Sequence, residues 1–581
     1  MLTMKKLISF ALGAALAVTA SAQSWQDALL YTENEYGGTA RSVAMGNALT
    51  AVGGDLGSIG LNPAGSAVAG YSQFTITPGL SISVSDASSV QPELAYGDKV
   101  HSLFTRMKMP NIGLMLGMDT GRRTGLKRIS FGFVSNSTAD FTSRMYGAGV
   151  NASNSYCGSL ASWAQGYPED ALSGSSPYTW WNLDDYSASY GLPWADVVGY
   201  RSGIFGTVNG RYLGLTDWNK DGKNTGVLAP LYQKFGFQTK GFKHDMMLNI
   251  GFNFSDTFYL GANLGLVRLA YGQSEYWSEA PNRDAEFPAI PFDENPNARF
   301  QSLEMKRIFE AEGAGAYLKV GALWRLGGFR MGAAIQTPTV MNLETRMAYF
   351  GKASVDGVKL PTSTSPEWED FYTLISPWRF NFGLALTIGQ LGLLSADYEL
   401  ADYGKSRFRS RSDSGVFYGS SYFDDVNADI RDVLGVSHML RIGTEWNVAP
   451  GLALRAGYGF TTSAEHNYLE WVYDPADKKD HLMVFPLSAQ ERAALCKHYV
   501  SVGAGYASGH FFADAAVRYK NSFKQYFTPY EYADYTTDYT DKFSVNGLDP
   551  KEFPQYESYQ VPELEAVYRR FEVLLTLGWR F

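Results

Sequence analysis

Residues able to carry out chemistry are few in this sequence, and they are widely scattered. The seven histidines show no metal-ligand spacing. The patterns Gly-x-Ser-x-Gly and His-Glu-x-x-His and the Walker motif, which place a nucleophile, a zinc ion and a nucleotide phosphate, do not occur. We therefore expect a protein that is not an enzyme, with no catalytic residues and no cofactor.

One segment is similar to half of a calcium-binding loop. Asp217, Asn219 and Asp221 alternate as the first ligands of such a loop do, and a glycine follows them. The twelfth position, which should supply a bidentate glutamate, is Leu228. A polar turn rich in Asp, Asn and Gly explains the same residues, so both interpretations stay open and no metal site is assigned.

Two pairs of charged residues are predicted to face each other across strand hairpins. A turn of two glycines sets Arg325 opposite Arg330, and directly opposed like charges destabilise a sheet unless an anion lies between them. A second turn, at 449–451, sets Glu445 opposite Arg455. We expect this second pair to line a half-wetted sheet face, to contribute about 0.2–1 kcal/mol, and to join two strands rather than act on a ligand.

Aromatic residues crowd two long segments. Residues 136–246 hold five of the 13 tryptophans, including the adjacent Trp180 and Trp181, and residues 521–567 hold seven tyrosines. Exposed amphipathic rings suit the capture of a hydrophobic molecule or of a partner surface, and we predict this role for Trp180 and Trp181. The alternative, in which these segments pack on each other as a lid, stays open.

The elements that must position these residues are alternating strands. From Phe571 to Phe581 and from Leu248 to Phe254, apolar side chains occupy every second position, as they do in a strand with one apolar face. A soluble sandwich would show the same period. The other face, however, carries glycine, serine, asparagine and isolated charges, which suit the wet wall of a barrel lumen.

Fourteen such segments can be counted, and their connections are alternately short and long. The segments are 72–85, 110–118, 128–135, 247–255, 258–272, 315–326, 329–337, 378–390, 391–403, 438–448, 452–460, 498–507, 510–520 and 568–581. An even strand number with short periplasmic turns and long extracellular loops is typical of outer-membrane barrels. The sequence therefore predicts an all-β fold, a fourteen-stranded antiparallel transmembrane β-barrel over residues 71–581.

Composition agrees with this fold class. Only 18% of the 581 residues are charged and 60 are glycine, whereas soluble domains carry about 25% charged residues. A net charge of −9 without a basic block argues against nucleic-acid binding. A mean hydropathy of −0.19, with no long apolar run beyond residue 22, argues against a bundle of membrane helices.

The first 22 residues predict export. Two lysines precede the apolar run 7–18, and a small-residue Ala-x-Ala pattern follows it, so we predict a signal peptide over residues 1–22 with cleavage before Gln23. The expected location is the outer membrane of a Gram-negative bacterium. Export would allow Cys157 and Cys496 to pair, and two free thiols are the alternative.

Residues 23–70 do not have the pattern of a barrel wall. The run is rich in glycine and alanine, and its helical pieces are too short to fold alone, so it needs a preformed host. We expect this host to be the barrel lumen, which makes residues 23–70 an N-terminal hatch; a periplasmic tail is the alternative. The residues expected to form the gate are Asp55, Asn62, Pro63, Ala64 and Gly65. Asp55 or Glu35 is expected to supply the anion between Arg325 and Arg330.

These motifs resemble a known family. Gly38-x-Ala40-Arg41, Gly46-x-Ala48, Asp55 and above all Asn62-Pro63-Ala64-Gly65 are similar to the hatch of the FadL/TodX outer-membrane transporters of hydrophobic compounds. Weaker similarity continues through Ala396-Asp397-Tyr398 and Leu440–Glu445 to the terminal Trp579-Arg580-Phe581. The resemblance implies a plugged fourteen-stranded barrel and lateral diffusion of ligands through a gap in its wall. This chain departs from the family by its longer loops, mainly residues 136–246.

The function expected from this resemblance is uptake of hydrophobic small molecules, such as long-chain fatty acids, through a hatch-gated barrel. The expected partners are the hydrophobic ligand, outer-membrane lipid with lipopolysaccharide, and the barrel assembly machinery, which would bind the last strand; no nucleic acid is expected. The alternatives are a binding or type IX secretion accessory barrel and a general porin. A transporter needs an apolar pocket beneath the loops, whereas a docking barrel needs a broad outer surface and no pocket.

The C-terminal residue provides the first testable prediction. The last strand must present its aromatic end to lipid and close the barrel against the first strand. Changing Phe581→Asp should therefore sharply reduce the amount of heat-modifiable, folded protein in outer-membrane fractions. Normal levels of folded variant would contradict the role given to this strand.

Overall fold

The computed structural model describes residues 23–173, 193–218, 224–411, 422–474, 479–533, 555–556 and 562–581. Its main feature is one closed antiparallel sheet. The strands of this sheet are β1 (Gln73–Ser89), β2 (Val100–Asp119), β3 (Leu126–Asp140), β4 (Leu231–Phe254), β5 (Phe258–Pro281), β6 (Phe300–Leu326), β7 (Phe329–Gln336), β8 (Arg379–Ile388), β9 (Gly392–Asp402), β10 (Val436–Ala449), β11 (Leu452–Thr461), β12 (Lys497–Ser508), β13 (Phe511–Phe527) and β14 (Leu564–Arg580). Each strand pairs with the next and β14 pairs with β1, so the predicted fourteen-stranded antiparallel barrel is confirmed.

Every predicted segment falls on one of these strands, but several strands run further on the long-loop side. β4 begins at Leu231, where the alternation predicts 247, and β6 begins at Phe300, where it predicts 315. Outward positions of these extensions carry charges, such as Lys240 paired with Glu310. The part of a strand that extends above the membrane is solvated on its outer face, so it carries no apolar alternation. The sequence pattern therefore identifies only the part of the strand within the membrane.

Shorter strands extend the barrel or decorate its long loops. Those that continue the wall are Ser143–Asn151, Val340–Val355, Thr362–Thr364, Trp368–Ile375 and Arg407–Ser410. Those in the loops are Phe205–Val208, Arg211–Gly214, Asn224–Thr225, Asn467–Asp474, Lys479–Pro486 and Gln555–Tyr556. The wall extensions make the long-loop side of the barrel much taller than the side with the tight turns.

Helices occur before the first strand and in the loops. They are α1 (Trp25–Thr32), α2 (Ala40–Ala44), α3 (Tyr156–Ala164), α4 (Glu169–Ser173), α5 (Trp194–Arg201), α6 (Asp424–Val433) and α7 (Ala489–Ala494), with 3-10 helices at Leu56–Gly60, Pro63–Val68 and Tyr403–Lys405. None of the helices in the described ranges is long and apolar enough to cross a membrane.

The two faces of the sheet differ as the alternation predicts. On the last strand, Val573, Leu575 and Leu577 are exposed on the outer surface, while Glu572 and Thr576, at alternate positions, are fully buried inside. Large exposed apolar side chains recur on the outside of nearly every strand. An apolar outer surface of this extent is stable only against lipid, and the small polar inner face leaves room for another part of the chain.

Both predicted hairpin registers occur. Leu326 pairs with Phe329, which sets Arg325 opposite Arg330. Glu445 lies opposite Arg455, although the turn differs in detail: Ala449, rather than Val448, pairs with the first residue of β11, and a bulge at Val448 restores the register. The expected charge pairs are therefore correctly placed in the sheet.

Candidate functional site in the barrel lumen

The inner face of the barrel contacts residues 23–70 along its whole circumference. Helix α2 packs against β11 to β14, whereas the 3-10 helix Pro63–Val68 packs against β3 to β6. The apolar residues Met45, Leu49 and Ile59 are completely buried between these two sides of the wall. Residues 40–68 therefore cross the lumen from one wall to the other.

Close approach of this segment to the wall depends on a ring of glycines. A methyl group on any of these wall glycines would overlap an atom of the N-terminal segment. They are Gly251, Gly261, Gly321, Gly332, Gly383, Gly443, Gly457 and Gly503, one on each of eight strands. Several are direct cross-strand partners, for example Gly251 with Gly261 and Gly443 with Gly457. The segment thus lies on bare backbone, where any larger side chain would push it away.

Asn62 fixes the corner that the sequence predicts. Its side-chain amide donates to the carbonyl of Thr50 at 2.8 Å and to that of Ala322 in β6 at 3.0 Å, while its oxygen accepts from the Ala64 amide at 3.1 Å. Asn62 therefore caps the 3-10 helix, with Pro63 at its first position. The expected contact with the wall is made to main chain, not to lumen side chains.

The other predicted gate residues stabilise this corner by contacts within the N-terminal segment itself. Ala64 is fully buried, and the carbonyl of Gly65 accepts from the amide of Gly54 at 2.9 Å. Asp55 caps the 3-10 helix Leu56–Gly60 by accepting from the Gly57 amide, and it accepts from the Thr39 hydroxyl at 2.8 Å. Burial raises the pKa of Asp55, and the nearby Arg41 partly opposes this shift.

Glu445 binds the N-terminal segment as well as the wall. It accepts from Arg41 Nε at 2.8 Å and Nη2 at 3.0 Å, and from Arg455 Nε at 2.5 Å. Arg455 in turn donates to Asp514 at 2.6 Å. The expected wall pair of Glu445 and Arg455 therefore exists, and a bidentate arginine of the lumen segment completes it.

Arg325 and Arg330 are not bridged by an acidic residue of the lumen segment. Arg330 Nη1 donates to the carbonyl of Val52 at 2.9 Å, and Arg325 is exposed at the turn side of the barrel. Glu35 instead forms ion pairs with Lys520 and, at 3.6 Å, with Arg570, while Asp55 caps a helix. The prediction that Asp55 or Glu35 lies between the arginines is wrong, because exposure to solvent screens their repulsion and a carbonyl suffices.

Sequence reasoning misses a second charged group above the segment. Glu399 accepts from Tyr36 at 3.0 Å, from Arg379 at 3.1 Å and from Arg441 at 3.3 Å, all deeply buried. Asp397, two residues earlier, accepts from the amide of Thr50 at 2.8 Å. These charged residues could have been recognised in the sequence, because they occupy inward positions of predicted strands. An isolated charge at such a position needs a partner from inside the lumen.

Two small cavities lie between the segment and the wall. They measure about 20 Å³ and 10 Å³. The larger is lined by both apolar and charged side chains, among them Tyr31, Met341, Lys243 and Arg379. A cavity of this size holds about one water molecule, so neither of these two cavities has room for a larger ligand.

The wall itself is interrupted beside the segment. Pairing between β2 and β3 stops at Asn111 and Asn136, although β2 continues to Val100. Beyond this point, the carbonyls of Ser137 and Thr138 accept from amides of the N-terminal segment at 2.8 and 2.7 Å instead of from β2. The third strand therefore leaves the second and turns its backbone toward the lumen.

Side chains fill the space between the separated strands. Arg106 of β2 donates to the carbonyl of Gly241 at 2.8 Å, and Arg570 donates to the carbonyls of Asp140 and Thr142 at 2.8 and 2.7 Å. Side-chain contacts can open without unzipping a ladder of backbone hydrogen bonds. This stretch is accordingly a weaker part of the wall than the continuous ladders elsewhere.

The aromatic loops form a packed layer in the described part. Trp163 donates to the carbonyl of Glu531 at 2.9 Å, and Trp194, Tyr530 and Tyr532 are buried in the same core. These rings favour the lid interpretation for the residues concerned. The predicted capture residues Trp180 and Trp181 lie outside the described residues, so their role stays a prediction.

The calcium-like turn and the two cysteines form neither a metal site nor a disulfide in the described part of the chain. Asp217 is buried beside Ser155 and Thr216, and burial raises its pKa to about 7, while positions 219–223 lie outside the described ranges. No cluster of three or more His, Cys, Asp or Glu residues that could hold a metal occurs in the described part of the chain. Cys157 and Cys496 are both free thiols.

Comparisons with known proteins found structures but no sequence relatives. No protein-family profile matches the chain, and no curated protein matches it. The fold is similar to a Pseudomonas aeruginosa FadL homologue, with 12% identity and a TM-score of 0.45 over 95% of this chain and 99% of the other. It is also similar to the P. putida toluene transporter TodX, with 12% identity and a TM-score of 0.44 over 94% and 99%.

A third similar structure is the Ralstonia pickettii toluene transporter TbuX, with 11% identity and a TM-score of 0.40 over 94% of this chain and 98% of the other. The first two of these structures carry the names FadL and TodX. At such identities and TM-scores they do not establish what this chain binds, so its function is argued below from the lumen and the wall.

The contact between Arg41 and Glu445 gives a testable prediction. Changing Arg41→Gln removes a charged bidentate pair, which should cost about 1.5–3 kcal/mol and loosen helix α2. Hydrogen exchange at residues 40–46 should become faster, and brief openings should appear in planar-bilayer recordings.

The matched control is Arg569→Gln, which breaks an exposed ion pair with Asp86 on the outer surface. This control should leave exchange at residues 40–46 unchanged. Equal exchange in the wild type and in the Arg41→Gln variant would contradict the role of this contact.

Proposed function

We propose that this barrel moves hydrophobic small molecules inward across the outer membrane, with residues 23–70 as its hatch. One observation supports the proposal: residues 40–68 cross the lumen between opposite walls, beside the place where β2 and β3 stop pairing. A water-soluble solute needs an open axial path. A molecule that dissolves in lipid can leave through the wall instead.

The contacts at the wall interruption support a lateral route. The lumen segment donates to Ser137 and Thr138 at the point where β3 leaves β2, so movement of the segment would change the shape of the wall there. The hatch residues Asn62 to Gly65 lie on the other side of the lumen, against wall glycines. Ligand entering from the loops would therefore have to shift the segment before reaching the interruption, which is the gating step in this proposal.

A docking barrel is the second candidate, and one observation favours it. The two cavities described beside the segment are too small for a ligand, and the loops above them form a broad packed layer. Such a barrel would bind a secretion or surface protein on its loops and transport nothing. A general porin fits less well, because the axial path is occupied by buried residues.

The lateral route is tested by bridging the interruption. Arg106 and Thr142 face each other across it, with side-chain atoms 3.4 Å apart. In a Cys496→Ser background, the double variant Arg106→Cys/Thr142→Cys would be joined by a short bifunctional thiol reagent. Uptake of a radiolabelled long-chain fatty acid and of toluene by intact cells should then fall about tenfold, equivalent to 1.4 kcal/mol on the rate-limiting step.

The matched control joins two strands whose pairing is continuous. Val500 and Tyr519 are direct partners in β12 and β13, so a bridge between Val500→Cys and Tyr519→Cys should leave uptake unchanged. Unchanged uptake after bridging Arg106→Cys to Thr142→Cys would contradict the lateral route. Equal uptake by cells with and without the wild-type protein would favour the docking barrel.

A further inference from the structure

Gln23, which the sequence predicts to be the first residue after cleavage, is buried. Gln23 is 3% exposed and lies in the lumen on the long-loop side, directly before helix α1. Ser24 caps this helix, and the helix packs Ala28 and Tyr31 into an aromatic core with Tyr372 and Phe408. The residue is therefore held by the fold rather than left in solvent.

The partner of Gln23 is a buried carboxylate. The side-chain amide of Gln23 donates to Asp370, on the wall strand Trp368–Ile375, and the amide of Phe371 donates to the same carboxylate at 2.7 Å. Asp370 is 1% exposed. Throughout the described ranges, no lysine or arginine forms an ion pair with Asp370, in contrast to the buried carboxylates of Glu399, Glu445 and Glu572.

Gln23 itself also has an unsatisfied polar atom. The side-chain oxygen of Gln23 is buried without a partner in the described structure. A buried carboxylate without a cation and a buried oxygen without a donor are both unfavourable, and a single cationic group with several N–H bonds would satisfy both.

Processing of the chain would create such a group at this position. The sequence predicts cleavage between Ala22 and Gln23. Cleavage by water converts the backbone amide of Gln23 into an α-ammonium group with three N–H donors, as in the lysine side chain. The new cation lies on the same residue whose side chain already reaches Asp370.

We propose that the α-ammonium group of processed Gln23 forms a buried ion pair with Asp370, so that removal of the signal peptide completes the docking of helix α1 inside the barrel. Asp370 is then a positioning residue for the N-terminal segment. The inference depends on the predicted cleavage site and not on what the barrel transports.

The ion pair also decides the chemical fate of the terminal glutamine. A free N-terminal glutamine cyclises when its amine attacks its own side-chain carbonyl carbon: an N–C bond forms, the C–N bond to the side-chain nitrogen breaks, and ammonia leaves. A protonated amine has no lone pair for this attack. Pairing with Asp370 therefore keeps Gln23 in the open, charged form.

Mass spectrometry of the N-terminal peptide, with amine labelling of the folded protein, tests the proposal. The protein would be purified from outer membranes in detergent and treated with an amine-specific reagent at neutral pH, before and after unfolding. The expected peptide starts at Gln23 with an uncyclised amine. Labelling of this amine in the folded protein should be at least about tenfold slower than in the unfolded chain, because the buried group reacts only after local opening.

Three variants isolate the ion pair. Asp370→Asn keeps the shape and an acceptor but removes the charge, and it should abolish the protection. Glu369→Gln changes the neighbouring carboxylate, which faces outward toward Arg346 at 3.1 Å, and it should leave the protection intact. Gln23→Ala removes the side chain but keeps the amine, so its protection should persist.

Several results would overturn the proposal. They are a peptide that starts at another residue, a peptide lighter by the mass of ammonia, fast labelling in the folded wild type, and protection that survives in Asp370→Asn. Each result is independent of ligand uptake, so the proposed transport function and this inference can fail separately.

Discussion

The structure depends on one geometric constraint: a barrel of this width cannot fill its own lumen. Side chains of the wall just fill an eight-stranded barrel, and wider barrels leave either a channel or space for a plug. Here the inner face is small and polar, and residues 40–68 occupy the remaining volume. The glycine ring brings the segment onto the wall backbone, and the Arg41–Glu445 contact ties it electrostatically. We propose that this packing closes the axis.

The same packing explains why the wall can be interrupted at one place. Backbone groups of β3 that lose β2 as a partner still need hydrogen bonds, because an unpaired buried backbone group is costly. The amides of the lumen segment and the guanidinium of Arg570 supply them. A barrel with an empty lumen would lack the amides that the segment supplies to Ser137 and Thr138. The interruption and the plug are therefore parts of one arrangement, and a change in one must alter the other.

Much of the barrel could be predicted from the sequence, and the reasons are local. The alternation of apolar and polar side chains identified all fourteen strands. Turns that contain glycine set Arg325 opposite Arg330 and Glu445 opposite Arg455. Contacts between the lumen segment and the wall could not be predicted, because Arg41 and Glu445 are 404 residues apart. The contact between the wall glycines and the lumen segment could not be predicted for the same reason. Which wall glycines face the segment becomes clear only when the register of the strands is known. The error at Arg325 came from ignoring its exposure.

Planar-bilayer conductance of the protein without residues 40–65 tests the central claim most directly. If this segment closes the axis, the shortened barrel should show a steady ionic conductance, whereas the full-length protein should be silent under the same conditions. Heat-modifiability would establish that the shortened barrel is folded. A folded deletion variant as silent as the full-length protein would contradict the account.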